Sequence, residues 1–304
     1  MNSLFEQYLK DAQGKGCLKY VKDRPLSAVS TFGIGGNAAF FVVPRNIPSL
    51  KEILRILYEQ KERYIVIGNA SNLLFSDYGF DGAVISTKSL CSLREENGAL
   101  IAECGVTLPR LSGYCAERGF AGFEGLCSIP ATVGGAVRMN AGAFGCEISD
   151  KLIYVSVYSP ESDKTVTKNK ENCGFSYRHS LAAGENEVIL EARFIPETGK
   201  TADILAKMDI NRQKRAQNQP TGVRSAGSYF KKPKSEKSAG ELIELCGLKG
   251  KRIGGAAISE KHGNFIINEK SARAKDVLAL AKLVKETVFQ KTGIILSEEV
   301  LYIE

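Results

Sequence analysis

Tryptophan is absent from this sequence and histidine is scarce, with His179 and His262 the only two in 304 residues. The cysteines stand singly, without the CxxC pairs that are typical of metal sites. We therefore expect no metal, and we interpret the cysteines as small buried side chains in a reducing compartment. They are Cys17, Cys91, Cys104, Cys115, Cys127, Cys146, Cys173 and Cys246.

Long hydrophobic runs are also missing. No stretch approaches the roughly 18 consecutive apolar residues that a membrane-spanning helix needs. The first residues, MNSLFEQYLKDAQGKG, lack the pattern of a signal peptide. We expect a cytoplasmic protein with no membrane partner, and the length allows two or three domains at about 100–200 residues each.

The net charge of +7 is unevenly distributed, because basic residues crowd between positions 207 and 237. Such a cluster could hold phosphates, bind nucleic acid or form a solvated face, and composition alone favours the solvated face. No motif in which aromatic and basic residues alternate accompanies the cluster, which argues against nucleic acid. Its members are Lys207, Arg212, Lys214, Arg215, Arg224, Lys231, Lys232, Lys234 and Lys237.

Hydrophobic periodicity predicts alternating helices and strands. Ser49 and Glu52 predict a capping box before the helix-like LKEILRILYEQ, and RYIVIG (63–68) and AVIST (83–87) are typical of strands. After residue 86 the same reasoning predicts further elements. These are strands at ALIAECG, LIYVSVYS and EVILEARF, a helix at LPRLSGYCAERG and a polar helix over residues 201–217.

The residue pattern in the last part of the chain predicts two helices and a strand. Ser238 and Glu241 form a capping box for AGELIELC, which we expect to end at Gly247. Between residues 271 and 293 one apolar face predicts an amphipathic helix, and IILSEEVLYI predicts a final strand. The apolar face consists of Val277, Leu280, Ala281, Val284 and Val288.

Three glycine-rich segments interrupt these patterns: TFGIGGNAAFF (31–41), GNASNLLFSDYGFDG (68–82) and SIPATVGGAVRMNAGAFG (128–145). Consecutive glycines allow a backbone to present N–H groups to an anion, and they also allow two backbones to pack tightly. Neither GxGxxG nor GxxxxGK[ST] is present, so the usual dinucleotide fold and the P-loop are both unsupported.

These segments, with others in the same order, resemble the UDP-N-acetylenolpyruvoylglucosamine reductases (UDP-N-acetylmuramate dehydrogenases) of bacterial cell-wall synthesis, and in particular their shorter subgroup. The resemblance covers nearly the whole chain. The motifs are FGIGGNA, GNASNLL, GLCSIPATVGGAVRMNAGAFG, YRHS (177–180), SAGSYFKKP (225–233), GLKGKRIGGAAISEKHGNFIIN (247–268) and LSEEV (296–300).

The resemblance implies an α+β fold with a two-subdomain FAD-binding module of the vanillyl-alcohol-oxidase (PCMH) type and a C-terminal α/β substrate-binding domain. We place the two FAD-binding subdomains at residues 1–85 and 86–218, and the substrate-binding domain at 219–304. The implied activity is flavin-dependent reduction of UDP-N-acetylglucosamine enolpyruvate to UDP-N-acetylmuramate with NADPH. We expect a monomer in which FAD is bound noncovalently.

The resemblance also implies which residues contact FAD. Ala70 and Ala131 stand near family glycines; each adds one methyl group, which flavin binding is expected to tolerate. The expected flavin contacts are Gly35, Gly36, Gly68, Asn69, Ser71, Asn72, Gly134 and Gly135.

Three catalytic residues follow from the same motifs. Arg178 matches the family arginine that holds the substrate carboxylate, and a planar guanidinium suits that bidentate contact. Glu299 matches the family glutamate near this carboxylate, where a neutral acid would assist. Ser228 matches the proton donor to the carbon beside the carboxylate, supported by nearby cationic or dipolar groups.

Four further residues are candidates for substrate binding. Lys231 and Lys232 would supply positive charge near Ser228 and to nucleotide phosphates. Tyr177 either contacts substrate or nicotinamide or packs in the core, and His262 is either structural or close to substrate. An FAD-dependent oxidase or dehydrogenase of the same superfold remains as one alternative, and it would not need Ser228, Arg178 and Glu299 together. A basic nucleotide-sugar or nucleic-acid binding module without flavin is the other, and a yellow purified protein would count against it.

Overall fold

The computed structural model describes residues 3–304, which fold into α-helices and short β-strands. The helices are α1 (Ser3–Gly14), α2 (Ile47–Glu59), α3 (Leu108–Glu117), α4 (Val133–Met139), α5 (Thr201–Asn218), α6 (Ala239–Leu245) and α7 (Ala274–Thr292). Among these residues, no helix is both long enough and apolar enough to cross a membrane.

The strands are β1 (Leu18–Pro25), β2 (Asn37–Pro44), β3 (Tyr64–Ile67), β4 (Leu73–Phe75), β5 (Phe80–Ser86), β6 (Leu93–Glu96), β7 (Ala99–Glu103), β8 (Phe120–Ala121), β9 (Gly142–Ala143), β10 (Cys146–Glu147), β11 (Leu152–Ser159), β12 (Lys164–Asn169), β13 (Val188–Phe194), β14 (Glu197–Thr198), β15 (Arg224–Ser228), β16 (Arg252–Ile253), β17 (Ala256–Ile258), β18 (Phe265–Asn268) and β19 (Leu301–Ile303). The strands and helices predicted for residues 63–117 and 152–218 are present within one to three residues of their expected ends.

Contacts divide the chain into two compact units. The first unit contains Met1–Lys22, Ala39–Asn69 and Asp81–Lys214, and the second contains Asp23–Ala38, Ala70–Phe80 and Arg215–Glu304. The three-part division expected from the sequence, with boundaries after residues 85 and 218, stays a prediction.

The first unit contains two main sheets. One has the strand order β1-β2-β5-β3, and in it β3 and β5 are parallel. The other has the order β12-β11-β13-β7-β6, and its neighbouring strands are antiparallel. The short pairs β9–β10 and β8–β14 complete the unit.

Helix α2 of the first unit begins earlier than its sequence predicts. The capping box at Ser49 is wrong, because the helix starts at Ile47 and Asn46 caps it by accepting a hydrogen bond from the N–H of Ser49 at 2.9 Å. Pro48 occupies the first turn, where its missing N–H costs nothing. The apolar face was predicted correctly, since Leu50, Ile53, Leu54 and Leu57 are buried.

The second unit is built from one antiparallel sheet, one parallel strand pair and two helices. Its sheet has the order β15-β18-β17-β16, and β19 pairs with β4 in parallel. Both predicted features of α6 are present, since Ser238 and Glu241 form a capping box and Gly247 follows the helix with a φ of +71°. In α7 the five residues of the predicted apolar face are all buried.

The final strand is shorter than predicted. α7 ends at Thr292, and β19 begins only at Leu301. The intervening residues bond to a different segment: the N–H of Lys231 donates to the carbonyl of Ser297, and Glu298 forms a bridge with Phe230. These contacts bring the LSEEV motif beside the SAGSYF motif.

Candidate active site

The glycine-rich segment from Ser128 to Gly145 contains a helix that sequence reasoning missed. α4 begins after Thr132 and ends before Asn140, whose φ of +42° is left-handed. The N–H of Val133 donates to the carbonyl of Val106 and that of Gly134 to the carbonyl of Cys104, both at 2.8 Å. The segment is therefore fixed within the first unit.

The two glycines of this helix have different surroundings. A Cβ added at Gly134 would lie 2.9 Å from the Cβ of Cys104, so this glycine permits close packing inside the protein. Gly135 is exposed, and of the atoms that the structure describes a Cβ there would meet only the hydroxyl oxygen of Thr132, at 3.7 Å. Of the pair, Gly135 is the one whose backbone a ligand could approach.

Two buried hydroxyl groups belong to the same segment as the exposed glycine. Within residues 3–304, no group of the protein hydrogen-bonds to the Oγ1 of Thr132 or to the Oγ of Ser128. A Cβ at Gly68 would overlap Thr132 Oγ1, so Gly68 lies directly against this threonine. Next to Gly68, the side-chain amide of Asn69 donates to the carbonyl of Pro130 at 2.9 Å.

Unpartnered buried hydroxyls usually bind water or a ligand, because leaving them unpaired costs about 1–3 kcal/mol each. Hydroxyl donors beside a side-chain-free backbone suit the phosphate and hydroxyl oxygens of a flavin dinucleotide. The residues of this segment therefore fit FAD.

Arg178 occupies a strained turn in the first unit. Ser176 and His179 exchange two backbone hydrogen bonds around Tyr177 and Arg178, and the φ of Arg178 is +54°. A left-handed backbone costs a residue with a Cβ roughly 1–2 kcal/mol, and such strain is often kept at functional sites. The guanidinium lies 5.1 Å from the ring centre of half-exposed Tyr177 and donates to the carbonyl of Gly142 at 3.3 Å.

Side chains tie the Arg178 turn to α4. The amide of Asn140, which is 1% exposed, donates to the carbonyl of Ser176 at 3.2 Å. Just after the turn, the hydroxyl of Ser180 donates to the carbonyl of Val137 at 2.8 Å, and Arg138 hydrogen-bonds to the carbonyl of Ala183. Hydrogen bonds thus connect the turn that carries Arg178 to helix α4.

In the second unit, Ser228 lies immediately after a bulge. Ser225 pairs with Ile267, and Ser228 pairs with Phe265, so β15 carries one residue more than β18 between these two pairs. Gly227, with a φ of +80°, accommodates the extra residue. Bulges of this kind change the direction of the next side chain, here that of Ser228.

Glu299 is held next to Ser228 by the main chain. The N–H of Glu299 donates to the carbonyl of Tyr229 at 2.8 Å. Asn72 holds the other side of the same residue, because its amide donates to the carbonyl of Glu299 at 3.0 Å and its own carbonyl accepts the N–H of Leu301. The structure therefore brings together Ser228, Glu299 and Asn72, which lie far apart in the sequence.

The first glycine-rich loop packs against its own unit. A Cβ at Gly36 would lie 2.5 Å from the carbonyl oxygen of Asp77, and one at Gly35 would lie 2.6 Å from the Cβ of Phe75. The loop is anchored by Asn268, whose amide donates to the carbonyls of Phe32 and Gly33 at 3.2 Å. Tight packing thus accounts for both glycines.

The side chain of His262 contacts its own loop and the residues packed against it. Its Nδ1 accepts the N–H of Asn264 at 3.1 Å, and its ring packs against Gly240 and the edge of Phe265. Burial lowers the pKa of His262 below its ordinary value, and the charge of Lys249 lowers it further. The imidazole is therefore a neutral acceptor that fixes its loop.

Two models of known protein families match this chain. The model of an FAD binding domain matches residues 38–166, and that of the UDP-N-acetylenolpyruvoylglucosamine reductase C-terminal domain matches residues 219–303. A UDP-N-acetylenolpyruvoylglucosamine reductase from Caldicellulosiruptor bescii is 42% identical over 301 residues, which is 98% of this chain and 94% of the relative. The chain belongs to the UDP-N-acetylenolpyruvoylglucosamine reductase family.

Two further members of the reductase family show the same full-length similarity. The reductase from Geobacillus kaustophilus is 38% identical over 280 residues, 92% of this chain and 91% of the relative. The crystal structure of the reductase from Thermus caldophilus superposes with a TM-score of 0.80 at 34% identity, covering 94% of this chain and 99% of that one. The expected α+β fold, with an FAD-binding module and a C-terminal domain, is confirmed.

The residues that the reductase motifs predicted are divided between the units. The first unit holds Gly68, Asn69, Gly134, Gly135, Tyr177 and Arg178. The second unit holds Gly35, Gly36, Ser71, Asn72, Ser228, Lys231, Lys232, His262 and Glu299. Their roles in binding and catalysis stay predictions.

Sequence reasoning missed several side chains around the reductase motifs. Thr132 and Ser128 carry the unpartnered hydroxyls, and Asn140 and Asn264 bond to the backbones that carry Arg178 and Ser228. The only local signal was that these polar residues stand among apolar and glycine neighbours, which is where buried polar groups require partners. Their partners are distant in sequence, so no spacing pattern marks them.

Proposed function

We propose that this protein reduces the enolpyruvyl double bond of UDP-N-acetylglucosamine enolpyruvate to give UDP-N-acetylmuramate, a step in making peptidoglycan precursors. FAD, when bound by the glycine-rich segments, would supply the hydride for the terminal carbon of the double bond, with NADPH as the source of that hydride. The observation that supports this proposal is the backbone hydrogen bond from the N–H of Glu299 to the carbonyl of Tyr229, the residue after Ser228, in a chain of this reductase family.

Arg178 binds the substrate carboxylate. Negative charge moves onto this carboxylate when hydride arrives at the far end of the conjugated system, and a guanidinium with two parallel donors stabilises that charge. The Gly142 carbonyl and the turn between Ser176 and His179 orient the side chain before substrate arrives. An oriented cation pays little reorganisation cost at the moment of reaction.

Ser228 and Glu299 complete the reduction. Glu299 in its neutral form donates a hydrogen bond to the same carboxylate, and Ser228 delivers a proton to the adjacent carbon. Lys231 and Lys232 follow Ser228 in the chain, and their charge stabilises the serine alkoxide and the nucleotide phosphates. The bulge at Gly227 sets the direction from which the serine proton reaches the carbon.

FAD is held noncovalently by the glycine-rich segments. Gly135, Thr132 and Ser128 supply an exposed backbone and two unpartnered hydroxyls, and Asn69 and Ser71 line the adjoining loop. Gly68 and Gly134 allow the close packing that positions these residues, because neither leaves room for a side chain. A yellow protein that loses its flavin on denaturation is the expected result.

The protein acts as a cytoplasmic monomer with no nucleic-acid or membrane partner. The basic residues near α5 are partly neutralised, because Arg212 pairs with Asp209 at 2.8 Å and Lys207 approaches Glu124 at 3.9 Å. Light scattering of the flavin-bearing protein, with and without duplex DNA, tests the monomer and the absence of nucleic-acid binding together.

Anaerobic stopped-flow absorbance tests the activity. The flavin is first reduced with NADPH, and UDP-N-acetylglucosamine enolpyruvate is then mixed in while flavin absorbance is followed. We expect prompt reoxidation by the wild-type protein, and a loss of at least about 100-fold in Ser228→Ala, since general acid catalysis contributes about 10²–10⁴-fold. Ser297→Ala, which removes an exposed serine hydroxyl, is the matched control and should react normally.

The alternative activity gives a different result in the same experiment. If the reduced flavin does not react with the enolpyruvyl compound and is reoxidised only when oxygen is admitted, the protein is an oxidase or dehydrogenase of the same superfold. The three catalytic assignments would then be abandoned.

A further inference from the structure

We propose that Asn264 is a positioning residue, which sets the orientation of Ser228 and Glu299 by pairing its side-chain amide with the backbone of Phe230. This inference rests on the proposed function, because it concerns the residues that complete the reduction. Asn264 touches neither substrate nor flavin in this proposal, and it acts through the strand that carries Ser228.

Asn264 pairs with the strand through both ends of its amide. Its Oδ1 accepts the N–H of Phe230 at 2.9 Å, and its Nδ2 donates to the carbonyl of Phe230 at 2.8 Å. Its backbone carbonyl also accepts the N–H of Tyr229 at 2.8 Å. Because one end accepts and the other donates, the network fixes which way the amide points.

The same stretch of strand is held from its other side by the LSEEV motif. Phe230 forms an antiparallel bridge with Glu298, and the carbonyl of Tyr229 accepts the N–H of Glu299. The strand after Ser228 thus lies between Asn264 on one side and residues 298–299 on the other. A shift of this strand moves the serine and the glutamate together.

The bulge explains why a side chain is needed here. The regular ladder between β15 and β18 ends at the pair of Ser228 with Phe265. Beyond this pair the amide of Asn264 supplies the donor and the acceptor that a neighbouring strand would supply. Without it, only the hydrogen bond from the N–H of Tyr229 to the backbone carbonyl of Asn264 would hold this stretch on the side away from residues 298–299.

Both partners of this pairing are buried, so the loss of either hydrogen bond is costly. Phe230 is 2% exposed and Asn264 is 7% exposed, so water cannot replace a lost hydrogen bond. An amide offers both a donor and an acceptor at any pH, whereas an ionised carboxylate lacks the donor and an aliphatic chain lacks both.

The loop around Asn264 is itself rigid. The N–H of Asn264 donates to Nδ1 of His262, and that of Phe265 donates to the carbonyl of His262 at 3.1 Å. Gly263 lies so close to Gly240 that a Cβ would be 2.6 Å from the carbonyl oxygen of Gly240. Asn264 is therefore a fixed support, and it does not simply follow the strand that it holds.

The test compares the two half-reactions of the flavin-bearing Asn264→Asp variant. Reduction by NADPH does not use Ser228, whereas reoxidation by UDP-N-acetylglucosamine enolpyruvate does. We expect reoxidation to slow at least tenfold while reduction stays within twofold of wild type. The solvent deuterium isotope effect on reoxidation should rise, because proton transfer from a misplaced serine becomes rate-limiting.

The introduced carboxyl group gives a pH signature. When protonated it can both accept from and donate to Phe230, as the amide does, and when ionised it faces the Phe230 carbonyl without a donor. Burial can raise the pKa of a carboxyl group by up to about 3–5 units, so the titration should fall between about pH 5 and 9. Relative to wild type at the same pH, reoxidation should recover as the solution is acidified.

Val288→Ala is the matched control, because Val288 is fully buried in the same hydrophobic core as Phe230 but makes none of these hydrogen bonds. We expect it to lower stability while both half-reactions keep their wild-type rates. If Asn264→Asp does not accumulate with flavin, Asn264→Ser, which can keep one of the two hydrogen bonds, replaces it with the same expectations for the two half-reactions but without the pH signature.

Three results would overturn the proposal. They are equal slowing of both half-reactions, reoxidation at the wild-type rate, and failure of both variants to accumulate with flavin. In the last case Asn264 would be a structural residue only. Failure of the wild-type protein to react with the enolpyruvyl compound is a separate outcome, because it refutes the proposed function.

Discussion

The side-chain amide of Asn72 donates a hydrogen bond to the backbone carbonyl of Glu299 at 3.0 Å. Asn72 belongs to the GNASNLL motif, which we expect to bind flavin, and Glu299 is the proposed acid beside the substrate carboxylate. The carbonyl of Asn72 also accepts the N–H of Leu301. One residue therefore connects the motif that we expect to bind flavin to the backbone of the proposed acid.

The first prediction concerns this connection. Asn72→Asp replaces the donor with a carboxylate that faces the Glu299 carbonyl, so we expect the free energy of unfolding to fall by about 1–3 kcal/mol. Reoxidation by the enolpyruvyl substrate should slow more than reduction by NADPH. Chemical denaturation and stopped-flow absorbance measure the two effects, and exposed Asn172→Asp is the control. An Asn72→Asp protein with wild-type reoxidation would contradict the coupling.

The second prediction concerns the contact between Gly68 and Thr132. A methyl group at Gly68 would overlap Thr132 Oγ1, so Gly68→Ala should destabilise the protein by about 1–3 kcal/mol and lower its flavin content. Thr132→Ala in the same chain removes the overlapping hydroxyl and should restore part of the stability. Flavin content should stay low in the double variant, because the proposed hydroxyl donor is gone.

Gly113→Ala controls for the loss of a glycine. Gly113 lies inside α3, and among residues 3–304 no heavy atom beyond its local backbone would lie within 4 Å of an added Cβ. Alanine is favoured over glycine in a helix by about 0.8–1 kcal/mol, so this variant should be more stable than wild type. If Gly68→Ala raises the free energy of unfolding as Gly113→Ala is expected to do, the close contact between Gly68 and Thr132 is wrong.

The third prediction is a loss of stability in acid that depends on His262. Burial lowers the pKa of this imidazole below the ordinary value of 6.5, so below that pH the unfolded chain binds more protons than the native protein. Stability therefore falls as the pH drops through 6.5 toward the lower native pKa, by at most about 1.4 kcal/mol per pH unit for one proton.

His262→Asn tests this origin of the pH dependence. The asparagine oxygen can still accept the N–H of Asn264, while the titrating group is removed. The fall in unfolding free energy between neutral and mildly acidic pH should be smaller than in wild type. The same substitution at exposed His179 should leave the fall unchanged, and equal slopes in all three proteins would refute the assignment.

Local sequence patterns predicted the elements whose stabilising contacts repeat along one face. The apolar residues of α7 and the capping box of α6 were correct because both depend on residues three or four positions apart. The start of α2 was misplaced because Asn46 caps as well as serine does, and Pro48 fits a first turn.

The elements that were missed depend on contacts distant in sequence. α4 contains Gly134 and Gly135, which disfavour a helix, and it forms because the chain near Cys104 and Val106 accepts its first N–H groups. Asn264 bonds to a residue 34 positions away, so nothing near it in the sequence marks its role. The family motifs located the candidate site, but not the side chains that support it.

The fourth prediction concerns the cysteine thiols. Burial raises the pKa of Cys104 and Cys115 to about 12 and that of Cys146 to about 11, so these thiols stay protonated at neutral pH. A protonated thiol is a poor nucleophile. We expect iodoacetamide to label half-buried Cys17 and Cys91 of the native protein first, as mass spectrometry of the digested protein would detect. Flavin that stays attached to Cys146 after denaturation would contradict the noncovalent binding.

The fifth prediction separates stability from activity at Arg178. Its left-handed backbone costs roughly 1–2 kcal/mol, and its hydrogen bond to the Gly142 carbonyl returns about 0.5–1.5 kcal/mol. Asparagine tolerates this backbone conformation, so Arg178→Asn should change the free energy of unfolding by less than about 1 kcal/mol. Reoxidation by the enolpyruvyl substrate should nevertheless fall at least about 100-fold, because the charge on the substrate carboxylate loses its partner.

Arg178→Lys is the informative comparison, since it keeps the positive charge and the strained backbone. A lysine cannot form two parallel hydrogen bonds, so reoxidation should recover only in part relative to Arg178→Asn. Urea denaturation gives the stability of each variant, and single-turnover reoxidation gives its activity. If the loss of activity in Arg178→Asn were matched by a large loss of stability, the left-handed turn would support the fold and the arginine would not be retained for the chemistry.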